Sequence, residues 1–186
     1  MDQFISYSQA GQDTFVYEQL VKPTNNLSGT FLDIGCNDPI WISNTVALER
    51  LGWTGLLVDM DHEMVESCKR HRRSPVFEAD ATKLDWSALC DEHHLGRTFD
   101  YLSLDIDDLV AVDESKTLIV LRNLIAAGFS FRAMTVEHNR YFLGDKIRNS
   151  LREFLSANSY TLFAGDVCSK DLEFEDWWVK GCHQEA

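Results

Sequence analysis

The chain has 186 residues, 45% of them hydrophobic and 25% charged, with a formal net charge of −13 at pH 7. That composition belongs to a folded globular chain and excludes a disordered one, and no apolar run approaches the roughly 18–20 residues of a membrane helix. A negative field repels phosphate backbones, so no nucleic acid partner is expected, and no membrane partner.

A chain of this length predicts one domain over residues 1–186, burying on the order of two thirds of the unfolded surface. Its five cysteines form no Cys-x-x-Cys pair. An odd count without such pairs points to free thiols in a reducing compartment. Residues 1–6 hold no basic region followed by an apolar stretch, so no secretory leader is read and a cytoplasmic protein is expected.

In chain order, residues 9–21 read as a helix with Phe15, Val16 and Leu20 apolar, a cover element ahead of the first strand. A short β run over 30–34 is closed by Gly35. A helix follows over 43–51, with Ser43 as N-cap and Gly52 as its stop. Residues 55–60 read as a buried strand, 63–72 as a helix and 75–78 as a third strand. The basic run at 69–73 suits a helix C-terminus. A short helix over 86–93 and a fourth strand over 99–106 come next. Residues 114–127 carry Leu118, Leu121, Leu124 and Ile125 at helical spacing, and Gly128 ends them. A fifth strand over 132–137, a helix over 146–157 and two last strands over 160–164 and 177–179 complete the chain.

Strands alternating with helices predict parallel units with right-handed crossovers. The last two strands lack a helix between them and predict an antiparallel hairpin. The expected fold is α/β: a seven-stranded, mostly parallel sheet with helices on both faces, the Rossmann-like class I methyltransferase arrangement. The exposed edge strand with its aromatics allows a homodimer.

In such sheets ligands sit beyond the carboxyl ends of the strands. The first strand ends in Asp33-Ile-Gly35, and the loop continues through Asn37. Gly35 lets the backbone approach a ligand. The second strand ends in Asp59, 24 residues after Gly35, the spacing at which a carboxylate accepts from ribose hydroxyls. The third is followed by Ala79-Asp80-Ala81, where a carboxylate can reach an adenine amine. The G-x-G-x-x-G fingerprint is absent, which argues against NAD. A sulfonium amino acid with one ribose needs fewer glycines than a pyrophosphate. S-adenosylmethionine is therefore the expected cofactor. Taken singly, Asp59 and Asp80 also read as helix caps.

Several segments together resemble the FkbM-type methyltransferases. They are Tyr7-Ser-Gln-Ala-Gly-Gln-Asp13, the run from Gly29 to Asp38, Ser43-Asn-Thr45, the run from Leu51 to Asp59, Ser103-Leu-Asp-Ile-Asp107, Val136-Glu-His-Asn139, and Phe174-Glu-Asp-Trp-Trp-Val179. The resemblance spans about residues 7–179. It implies an S-adenosylmethionine-dependent methyltransferase, with Gln9, Asn44, Ala81 and Asp105 joining Asp33, Gly35, Asn37, Asp59 and Asp80 as cofactor-binding residues. Pro39 and Asp108 stand where the family usually has glycine.

Methyl transfer to a hydroxyl needs an aligned acceptor and a place for its proton. Asp105 and Asp107 alternate onto one face of the fourth strand, and Glu137 and Asn139 do so beside them. Four oxygen ligands at adjacent strand ends suit Mg²⁺, by analogy with catechol-type O-methyltransferases. Without metal, His138 or Glu137 is the candidate base, and Asp105 is counted with them as a candidate catalytic residue. Bland readings stand beside these: His138 as a core histidine, Asp107 and Asp108 as caps. His93-His94 fits no zinc spacing, Cys36 has no base partner, and Trp177-Trp178 suits sheet packing. The expected activity is O-methylation of a small molecule or sugar. The rival reading is a non-catalytic or regulatory cofactor-binding protein of the same fold, a view that Pro39 and Asp108 motivate.

Overall fold

Seven strands pair into one sheet in the order β3 (Val76–Glu78), β2 (Thr54–Asp59), β1 (Thr30–Ile34), β4 (Thr98–Leu104), β5 (Ser130–Glu137), β7 (Leu172–Lys180) and β6 (Tyr160–Ser169), with β7 antiparallel to both of its neighbours. The structure, a computed structural model, describes residues 4–25, 27–106 and 115–181. The elements are α1 (Gln12–Val16, running on as a π-helical turn, Tyr17–Val21), β1 (Thr30–Ile34), α2 (Val46–Leu51), β2 (Thr54–Asp59), α3 (His62–His71), β3 (Val76–Glu78), α4 (Trp86–Glu92), β4 (Thr98–Leu104), α5 (Lys116–Ala126), β5 (Ser130–Glu137), α6 (Arg140–Leu143), α7 (Asp145–Ala157), β6 (Tyr160–Ser169) and β7 (Leu172–Lys180). No described helix is long and apolar enough to cross a membrane.

Alternation along each strand divides the apolar side chains between two cores. Leu32, Ile34, Leu56, Val58, Leu102 and Leu104 face α4, α5 and α7. Phe31, Leu57, Tyr101 and Ala133 face α1, α2 and α3. A parallel sheet covered on both faces needs near-continuous apolar strands, which these are.

Most expected elements appear within two residues of their bounds, and the exceptions have physical causes. The first helix starts at Gln12 and not at residue 9. Ahead of it, Asp13 gathers Ser6 Oγ and Ser8 Oγ, both at 2.6 Å, and the Tyr7 N–H at 2.7 Å. Those residues form a turn around a buried carboxylate. Helix α2 starts at Val46, and Ser43 accepts the Val46 N–H from outside it at 3.3 Å. Strand β6 is twice and β7 three times its expected length, and a short helix, α6, precedes α7. Each strand carries an aspartate that needs a partner, and α7 supplies it: Arg152 donates to Asp176 at 2.7 and 2.8 Å and Arg148 to Asp166 at 2.9 Å.

The α1–α3 side is tied to β1 by Arg72, whose side chain is wholly buried at the end of α3. It donates to Glu49 of α2 at 3.1 Å and to Thr45 at 2.8 Å, and Thr45 in turn donates to Asp33 of β1. Glu49 also accepts the Ser74 N–H at 2.9 Å. Burial pushes Glu49 up, but Ser74 and the Arg72 charge prevail and hold it below its usual value. Removing one partner leaves the other charge buried and uncompensated. Glu49→Ala is expected to lose about 3–5 kcal/mol in urea unfolding. Glu18→Ala, which breaks the exposed pair with Lys22, is expected to leave the urea midpoint unchanged.

Candidate functional site

The carboxyl ends of β1 to β4 open on a cavity of about 320 Å³. Its floor is the close approach of β1 to β4. Asp105 N–H donates to the Ile34 carbonyl at 2.9 Å, and Gly35 follows at φ +83°. A Cβ on Gly35 would sit 1.8 Å from the Asp105 carbonyl oxygen. Only glycine fits both that contact and that φ.

Asp59 closes β2 at the cavity wall. Its Oδ2 accepts the Asn37 N–H at 2.8 Å, and its Oδ1 accepts the Asp61 N–H at 2.9 Å. One carboxylate thus joins the loops after β1 and β2, with lone pairs left over. Asp61 caps α3 through the Glu63 and Met64 N–H groups. Beyond β3, Asp80 accepts the Thr82 hydroxyl at 2.6 Å and N–H at 3.0 Å and pairs with Lys83 at 2.8 Å. Lys83 and Thr82 hold the Asp80 carboxyl at about 2.

Asn44 lines the cavity from the loop before α2. Its Nδ2 donates to Ser103 at 3.0 Å, while its buried Oδ1 has no hydrogen-bond partner among the described residues. An orphaned buried acceptor in a cavity wall is a place for a ligand's donor. Asp33 is buried against Thr45, and burial raises its pKa against the opposing pull of Arg72 and Thr45.

The cavity brings together Asp33, Gly35, Asn37, Asn44, Asp59, Asp80, Ala81 and Asp105. Gln9 is exposed and does not line it. Ile42, Met60 and Met64, not singled out by sequence, give it apolar walls.

The residues of β5 divide differently from expectation. Met134 and Val136 face the α7 side and Ala133 the α1 side, so alternation sends His138 and Glu137 to opposite faces. His138 is buried, and neither it nor Glu137 lines the cavity. Its Nδ1 accepts the Arg140 N–H at 3.2 Å, and its Nε2 lies 3.3 Å from Asp176 and 3.9 Å from Asp166. Arg152 and His138 hold Asp176 below the usual carboxylate range despite its burial. His138 therefore belongs to an ion-pair network under α7.

Asn139 is buried at φ +45° just after β5, its N–H bonded to the Phe174 carbonyl at 3.0 Å, and it too does not line the cavity. Asp107 and Asp108 lie outside the described residues. Among the described residues, one trio of His, Cys, Asp or Glu has ligand atoms within 4.8 Å of one another: His138, Asp166 and Asp176. It includes neither Asp105 nor Glu137, and its carboxylates already pair with Arg148 and Arg152.

Sequence reading passed over Glu175. It lies opposite Glu137 in the β5–β7 register and is fully buried. Trp177 Nε1 donates to its Oε1 at 2.5 Å, and Gln12 of α1 hydrogen-bonds it as well. Burial pushes its pKa up to about 8, reinforced by the Asp105 charge. The signal is a glutamate two residues ahead of the tryptophan pair, a pair that by itself suits sheet packing.

Glu175 carries a proton in the folded chain up to about pH 8, whereas in the unfolded chain it ionises near 4.5. The folded state then binds more protons than the unfolded one, so stability falls as pH rises through that window. The slope from this group is at most about 1.4 kcal/mol per pH unit. Thermal unfolding between pH 5 and 8 is expected to show the fall, and Glu175→Gln, which mimics the neutral acid, to flatten it. Equal slopes for both proteins would show that Glu175 is ionised when folded.

No family model and no curated sequence matches the chain. Solved structures do match. Magnesium protoporphyrin IX methyltransferase (ChlM) from Synechocystis PCC 6803, with bound SAM, superimposes with a TM-score of 0.63 at 16% identity, over 93% of this chain and 79% of that one. The same enzyme is also known with bound SAH. A TehB-like SAM-dependent methyltransferase from Corynebacterium glutamicum gives 0.57 at 14% identity, over 91% and 87% of the two chains. An N-terminally truncated METTL16 methyltransferase domain gives 0.57 at 14% identity, over 92% and 80%. At these identities the likeness is one of fold. The chain has the Rossmann-like fold of the class I S-adenosylmethionine-dependent methyltransferases.

Proposed function

We propose that this chain binds S-adenosylmethionine in the strand-end cavity and directs its methyl group to a hydroxyl of a small molecule or sugar, as an FkbM-type O-methyltransferase. The observation that carries the reading is Asp59, held by two backbone donors at the mouth of β2 within one cavity that also holds Asp33, Asn44, Asp80 and Asp105. The residues suit the group. Asp59 has lone pairs for ribose hydroxyls, and residues 79–82 form a wall for an adenine. The orphaned Oδ1 of Asn44 can accept from an ammonium. When bound, the cofactor supplies an electrophilic methyl carbon on a sulfonium sulfur.

The chain's own part is alignment and proton removal. Gly35 lets the β1 loop pass tightly over the Asp105 carbonyl, which fixes the loop at the cavity floor. In this reading Asp105, just after β4, takes the acceptor's proton; its place in the cavity lining supports that role. With a net charge of −13, a small acceptor suits the surface better than a polyanionic nucleic acid.

Titration calorimetry with S-adenosylmethionine and S-adenosylhomocysteine tests the binding step. Asp59→Ala is expected to weaken both by about 10–100-fold, the loss of one or two charge-assisted hydrogen bonds. Absence of binding to the wild-type chain overturns the reading. Binding without transfer of labelled methyl to any of a panel of hydroxylated acceptors would instead identify a non-catalytic cofactor-binding protein.

A further inference from the structure

A second recess, of about 380 Å³, lies beside the first and is lined by Ser6, Tyr7, Asp38, Ile40, Trp41 and Ile42. Ile42 lines both. The sheet order β3-β2-β1-β4 sets the direction of the first cavity. Residues 79–82 beyond β3 form one end, Asp59 at the end of β2 stands between, and Ile42, Asn44 and Asp105 around β1 and β4 form the other. A nucleoside held by the β2 and β3 ends leaves its amino-acid arm and sulfur toward β1 and β4. The second recess therefore adjoins the end at which a methyl group would be offered.

The recess is built and held. Asp38 Oδ1 accepts the Ile40 N–H at 2.8 Å and the Trp41 N–H at 2.6 Å, and Pro39 between them has a restricted φ. Ile42 sits at φ +53°, a left-handed conformation that is costly for a β-branched residue, and bridges to Ser8. Strain of this kind persists only where surrounding contacts hold it, and it concentrates at ligand sites. The result is an indole left 76% exposed beside Ile40 and Ile42, which are 37% and 40% exposed. The other four tryptophans are buried or half-buried.

The recess also indicates what it takes. Its polar groups are engaged within the protein. Ser6 donates to Asp13 at 2.6 Å, the Tyr7 hydroxyl accepts from Arg50, and Asp38 holds its own loop. Few remain for the many hydroxyls of a sugar, whereas the indole and two isoleucines offer a flat apolar wall. We propose that this recess is the acceptor subsite of the methyl transfer, and that it takes a hydroxylated aromatic compound, a phenol, with its ring against Trp41. The proposal rests on the cofactor reading above. In the transfer, the phenolic oxygen bonds to the methyl carbon and the S–C electron pair stays on sulfur. The phenolic proton goes to the Asp105 carboxylate.

Two measurements separate the subsite from the cofactor reading. Acrylamide quenches exposed tryptophan, which here is Trp41. Catechol is expected to shield that fluorescence, with or without S-adenosylhomocysteine, and methyl glucoside is expected not to. In labelled-methyl transfer, Trp41→Ala is expected to raise KM for catechol by about tenfold or more, while calorimetric affinity for S-adenosylmethionine stays within about twofold. With its exposed indole, Trp41 can be replaced without loss of folding, and Trp41→Phe is expected to restore most of the affinity. Failure of catechol to shield Trp41, or a KM unmoved by Trp41→Ala, overturns the subsite. Methyl transfer to the glucoside in preference to catechol overturns it as well. A failure of the cofactor reading shows separately, as absent calorimetric binding.

Discussion

The guanidinium of Arg72 is the joint on which the site depends. It ends α3, meets Glu49 of α2, and reaches β1 through Thr45 and Asp33. One strand and two helices, β1, α2 and α3, are thereby fixed relative to the loop after β1. A buried ion pair of this kind adds little net stability over a well-packed apolar replacement. What it adds here is position. The loop that carries Gly35, Asn37 and Asn44 leaves β1 and enters α2 between those anchored ends, and Asp59 pins its middle through the Asn37 N–H.

The two faces of the sheet differ in chemistry. On the α1–α3 face, residues of one parity along β1, β4 and β5 run Asp33, Ser103, Thr135 and Glu137, with Glu175 opposite the last. The stripe is capped by Gln12 and Trp177 and lies beneath the first helix. It is buried, so its charges are suppressed or paired, and burial pushes Glu175 far enough to hold a proton near neutral pH. On the opposite face the carboxylates are ionised and matched by arginines. Arg148 and Arg152 of α7 neutralise Asp166 and Asp176, and His138 completes the set. Desolvation governs the first face and ion pairing the second. That difference explains why a histidine and a glutamate adjacent in sequence have unrelated surroundings.

Charge pairing also explains the long β6–β7 hairpin. Acidic residues are poor strand formers, yet Asp176 and Asp166 lie in these strands because α7 offers two arginines at the right height. Register shifts along the pair absorb the mismatch between β6 and β7.

Much of the architecture was legible in the sequence. The alternation of β runs with amphipathic stretches is a local property, set by side-chain period, and it determined the parallel core, the order of elements and the final antiparallel pair. The residues lining the cavity were legible for the same reason. In an open α/β sheet, whatever follows a strand's carboxyl end lies at the ligand edge, so Asp33, Gly35, Asp59, Asp80 and Asp105 could be located by counting. Gln9 could not, because its position depended on a helix start that Asp13 moved to Gln12 by collecting Ser6 and Ser8. His138 could not either. Its neighbours' chemistry is decided by α7 and the hairpin, more than ten residues away along the chain. Nor was Arg72, one cation in a basic run, distinguishable from its exposed neighbours until α2 closed over it. The sequence by itself determined which residues stand at the strand ends. The tertiary structure alone decided which charges are buried, which are paired and which face open space, because burial and pairing depend on partners brought together only by folding.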